Sequence, residues 1–193
     1  MASDGRFQAS DLRGVLDSLL TDSMPNPVAW TRHVTSKVMC FMWRAVIGRI
    51  PTATALSRRG IQVNNTMCHL CSSGEEDADH MFTGCTFALE VMTWLFRWCN
   101  IPQPQFSNVG DLVSFAADWG RCPKKRQILL AIVYGLIRSI WKAMNDMVFN
   151  KRRVSATLLA DNVITLVYGW IKHRGNFDNC NWSVWLCCPF NIL

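Results

Sequence analysis

The chain has 193 residues, 50% of them hydrophobic, a formal charge of +6 and a pI near 9.0. That apolar content can bury one sizeable core or two small ones, which excludes a disordered tail and removes the need for a disulfide scaffold. Residues 1–20 lack the basic start and apolar stretch of a signal peptide, so the nine cysteines point to a reducing intracellular compartment, nuclear or cytoplasmic, where clustered thiols suggest metal and scattered ones core.

In chain order the pattern is helix after helix. Ser10 or Asp11 is suited to cap a first helix, with Leu12, Val15, Leu16, Leu19 and Leu20 on one stripe, and the Pro25-Asn26-Pro27 turn ends it. The segment SKVMCFMWRAVIGRI from Ser36 is apolar nearly all round and reads as a buried helix, with Met42 and Trp43 in the core and Pro51 as its breaker. Thr52 then caps a short helix that closes on Gly60. Helical spacing recurs from Phe87 to Trp98, and IPQPQ at 101–105 marks a linker. Beyond it, helices are predicted over Val109–Trp119, over Lys124–Phe149 with Trp141 inside, and over Val154–Lys172. The tail from Phe177 has no helical period and is expected to be extended or irregular. The longest apolar run of the chain, Ile128–Ile137, is about half of what a bilayer-spanning helix needs, so no membrane partner is expected.

Between the short helix that closes on Gly60 and the one from Phe87 lies CHLCSSGEEDADHMFTGC, Cys68 to Cys85. Cys68-x2-Cys71 is a tight turn in which two thiolates can face one ion, and His80 with Cys85 can complete a tetrahedron. The loop between is small and polar, which suits a segment that wraps a metal. Three thiolates and one imidazole leave no position for a reactive water, so one structural Zn2+ is expected. His69 is the weaker histidine candidate, and Glu75, Glu76, Asp77 and Asp79 are expected to solvate the loop, with a hydrogen bond from Glu75 or Glu76 to a ligand as the alternative. Cys40, Cys99, Cys122, Cys180, Cys187 and Cys188 read as core or unassigned.

These residues, in order, resemble the zinc-binding domain of plant LINE-type reverse transcriptases, encoded by non-LTR retrotransposons. The likeness rests on Trp43-Arg44, Pro51-Thr52, Arg59-Gly60-Ile61, Cys68 and Cys71, Glu76, His80-Met81-Phe82 and Cys85, and spans roughly residues 5–99. A W-x-x-R-N-x-x-x-F helix follows the domain in such reading frames; here it runs from Trp141 to Phe149, with Met144 where arginine is usual. The resemblance implies a mainly α fold, in which a small zinc-stapled helical module is followed by a helical C-terminal extension. Its divisions are a reverse transcriptase zinc-binding-like domain at 1–100, the linker at 101–105 and a helical region at 106–193.

No Asp-Asp pair is present to hold the two divalent ions of a polymerase, so the chain itself is not expected to be an enzyme, although the parent family is an RNA-directed DNA polymerase. The resemblance implies a non-catalytic module that assists RNA or DNA binding, with Arg44, Arg49, Arg58 and Arg59 as the residues that would lie along nucleic acid. The alternatives are a zinc-stabilised module that docks on the parent polymerase or another protein, and a decayed transposon fragment. The basic knots at 124–126, 151–153 and 172–174 read as helix ends and solvated turns.

Overall fold

Apolar side chains at Val38, Met39, Met42 and Ala45 share one helical face, and they bury the inner side of α1 (Ser36–Val46). The computed structural model describes residues 28–175 and 181–192, so the expected helix near Leu12–Leu20 and the Pro25-Asn26-Pro27 turn lie outside the described residues. Trp43 departs from expectation: it is 44% exposed, because α1 rests on one side of its neighbours and only one stripe of an apolar helix can be covered. Nor does Pro51 end α1. Gly48 does, at φ +64°, with its N–H donating to Ala45 O and that of Arg49 to Arg44 O, the paired bonds of a Schellman motif.

The same device closes α2 (Ala53–Arg58). Thr52 Oγ1 accepts from Ala55 N at its start. At its end Gly60 sits at φ +77°, Gly60 N donates to Ser57 O, and Ile61 N donates to Leu56 O. After the metal loop, a π-helical turn (His80–Gly84) leads into α3 (Thr86–Trp98), which buries Ala88, Val91, Met92, Leu95 and Phe96. Asn100 takes the left-handed position there, and Ile101 N donates to Phe96 O, so the non-helical stretch 101–105 begins with a buried residue.

Asn108 caps α4 (Val109–Asp118), and Pro123 opens α5 (Pro123–Asn150). α5 is buried nearly all round from Ile128 to Ile137 and has α1, α4 and α6 (Ala156–Arg174) packed about it. By length and composition it could cross a membrane, but 78% of its apolar window lies buried within the protein, as in a core helix. α6 also packs on α3, so one apolar core runs from Val28 to Ile192.

The tail corrects the sequence reading. Trp182–Cys187 forms a short helix, α7, and Pro189–Ile192 a 3-10 turn. Six residues are too few for a period to register. Trp185 is fully buried and donates from its indole to Ile164 O, while Trp98 donates to the carbonyls of Trp185 and Leu186. The described residues are thus mainly helical; a bridge between Met67 and Glu75 is their only β pairing.

Candidate metal centre

The Met67–Glu75 bridge pinches the loop so that Cys68 and Cys71 share its inside. Cys68 N donates to Gly74 O and Ser72 N to Cys68 O, with Ser72 at φ +57° to turn the chain back. The other two ligands come from the π-helical turn. In an α-helix, residues five apart stand about 140° round from each other and cannot face one ion. Here Cys85 N donates to His80 O, closing the wider i to i+5 ring, and both side chains fall on one side.

All four sequence-predicted ligand atoms, those of Cys68, Cys71, His80 and Cys85, lie within 4.8 Å of one another. Cys68 Sγ is 3.9 Å from Cys85 Sγ, and Cys71 Sγ is 3.2 Å from His80 Nε2. A tetrahedron with Zn–S near 2.3 Å and Zn–N near 2.0 Å has edges of roughly 3.5–3.8 Å, so the donor set and its spacing fit one zinc ion. Cys68 and Cys85 are buried, while Cys71 and His80 are half-buried.

The charge state of the free cluster favours a cation. The hydrogen bond shared with Cys85 holds the Cys68 thiol down at about 4 from its usual 9.0, and the same bond, with burial, pushes the Cys85 thiol up. Burial opposes ionisation of Cys71, yet hydrogen bonds from Ser73 and His80 bring it below its usual value. Burial likewise opposes charge on His80, but the neighbouring cysteines outweigh it and raise it. The cluster therefore gathers negative charge on sulfur and retains protons that a dication would displace.

Gly74 explains the position of His80. A Cβ added there would meet His80 Cε1 at 2.5 Å and Nδ1 at 2.7 Å, so the imidazole lies directly on the glycine backbone.

Three acidic residues do more than solvate the loop, contrary to expectation. Glu76 is 3% exposed; its Oε1 accepts from Ala53 N, its Oε2 bonds His69 Nδ1, and its carbonyl accepts from Thr54 Oγ1. The loop is thereby tied to the N-terminus of α2, where the helix dipole favours a carboxylate. His69 is engaged in that bracket and lies outside the cluster of four ligand atoms. Asp77 Oδ1 accepts from His80 N, and Asp79 Oδ1 from Val109 N at the start of α4. Sequence spacing gave no sign of partners 23 and 30 residues away.

Arg44, Arg49, Arg58 and Arg59 are all exposed at the ends of α1 and α2, and none forms an ion pair among the described residues. Met144 is buried in α5, facing the core.

No curated protein and no solved structure matches the chain. A family model does match, over residues 17–94, and that stretch contains all four ligands. Its description is zinc-binding in reverse transcriptase, a zinc-binding domain and not a catalytic polymerase domain, and segment 17–94 of this chain is similar to that family.

Proposed function

We propose that the chain is a non-catalytic, zinc-stapled module, derived from the reverse transcriptase of a plant LINE-type element, which assists the binding of RNA or DNA in a reducing intracellular compartment. The closed shell of three cysteines and one histidine carries this reading: with every coordination position taken by protein, the ion organises structure and leaves no site for an activated water. The unpaired, exposed guanidinium groups of Arg44, Arg49, Arg58 and Arg59 and the net charge of +6 support the nucleic-acid partner.

The test is fluorescence anisotropy of labelled RNA and DNA on the zinc-loaded chain over a series of salt concentrations. Binding that weakens linearly in log-log form, and weakens further in an R44A/R49A/R58A/R59A variant, is the expected result. A second reading, docking onto a protein, draws on the exposed rings of Trp30, Trp43 and Trp94. It predicts zinc without salt-dependent nucleic-acid binding.

A further inference from the structure

The turn between α5 and α6 places cations beside the metal loop. Lys151 caps α5 in the left-handed conformation at φ +54°, and the chain then runs without helical structure to Ser155, which caps α6. Arg152 and Arg153 from this turn and Lys142 from α5 border an open groove of about 370 Å3, floored in part by Val154 and Leu159. Ser139 and Asn162 line it with neutral polar groups, and Asp146 is its one carboxylate. Three cations thus face one anion. Asp146 already accepts from Asn150 Nδ2 through its carboxylate and from the N–H groups of Lys151 and Arg152 through its carbonyl, and it forms no ion pair with the three cations.

Two further observations point to the kind of ligand. Phe149 is 76% exposed and lies seven residues from Lys142, two helical turns along the same face of α5. An exposed ring beside a cationic groove is how proteins hold a single strand, with phosphates on the cations and a base stacked on the ring. A smaller cavity of about 70 Å3 shares Arg152, Arg153 and Val154 with the groove and reaches His69 and Leu70 in the metal loop. The two arginines therefore line both the groove and the cavity that reaches the metal loop.

We propose that the groove between α5 and α6 binds single-stranded nucleic acid, with Lys142, Arg152 and Arg153 taking backbone phosphates and Phe149 stacking on a base. This rests on the nucleic-acid reading above and locates a contact beyond the segment that matches the family.

The experiment is anisotropy of a fluorescein-labelled single strand of about 20 nucleotides, as RNA and as DNA, on the full zinc-loaded chain, with zinc content and circular dichroism checked for every variant. R152A/R153A is expected to weaken binding at least tenfold and to lower the salt slope by about 1.4, and K142A to lower it by about 0.7. F149A is expected to weaken binding about tenfold at unchanged slope. K142A, a surface change within a helix, keeps the test decisive should the arginine pair disturb the turn. Wild-type binding that is untouched by all three variants yet lost in R44A/R49A/R58A/R59A would overturn the groove and leave the broader reading standing. Absence of wild-type binding even at low salt would overturn both, and preference for a duplex with no effect of F149A would overturn the single strand.

Discussion

Gly74 and Glu76 support the metal loop without touching the ion, and each yields a separable effect. Gly74→Ala would drive a methyl group into the His80 ring, which cannot retreat without leaving its place among the sulfurs. Zinc affinity is expected to fall about 10- to 100-fold, the range seen when support for a ligand is lost, measured by competition with a chromophoric chelator. Gly84→Ala is the control, since its Cβ would stand 3.4 Å from His80 Nδ1, an ordinary contact. Glu76→Ala leaves the N–H of Ala53 and the ring of His69 without their buried partner. A loss of about 2–3 kcal/mol in urea unfolding of the zinc-loaded chain is expected. The cluster itself predicts a pH dependence. Zinc needs thiolates and a neutral imidazole, whereas the free cluster keeps a proton on Cys85, whose thiol is pushed up, and holds on to that of His80, also raised. Protons bound in the free state and lost in the bound state make affinity rise with pH and fall as the solution is acidified. Calorimetry in two buffers of different ionisation heat should register release of at least about one proton per zinc; binding heats independent of buffer would contradict this.

The helices divide according to whether their determinants are local. Thr52 and Gly60 announce helix ends through bonds that span three to five residues, so α2 was legible, and the predicted start of α6 at Val154 fell two residues before the one that Ser155 caps. Cys68-x2-Cys71 was legible for the same reason. The π-helical turn was not: the sequence named His80 and Cys85 as ligands, but the i to i+5 bond that lets a five-residue step face one ion has no mark in the spacing. Trp43 was misplaced because apolar composition does not say which face a neighbour covers, and α7 because its anchor, Trp98 on Trp185, joins residues 87 apart. Gly135 belongs with this second group. Inside a helix pattern it reads as a weak point, yet its bare backbone admits Val167, whose Cγ2 would lie 2.7 Å from an added Cβ, with Val163 Cγ1 at 3.4 Å. Gly135→Ala should therefore separate α5 from α6, overriding the better helix propensity of alanine, and cost about 1–3 kcal/mol in thermal or denaturant unfolding. An unchanged or raised midpoint would mean that the β-branched valines yield more easily than their stiffness allows.

Across the whole molecule, the ion and the core hold different things. The apolar cluster spans α1 and α3 through α7, and α5 at its centre has no direct bond to the metal loop, so burial alone can keep that centre folded. The loop proper, residues 69–79, has fewer ties, a two-residue bridge, Glu76 on α2, Asp77 on His80 and Asp79 on the first turn of α4, whereas Cys68, Met81, Phe82 and Cys85 at its two ends are buried in the core. Removing zinc leaves the Cys68 thiolate beside a Cys71 thiol that is itself held below its usual range, with no cation between them, and frees the π-helical turn, whose geometry is useful only when His80 and Cys85 share an ion. Chelation is thus expected to loosen the molecule along that chain of contacts and stop at the core. Hydrogen exchange followed by mass spectrometry should show faster exchange over residues 66–86 and at Val109, with Ile128–Ile137 remaining protected. Uniformly fast exchange in α5 as well would instead make the zinc a condition for folding the entire chain, as in domains too small to bury a core of their own.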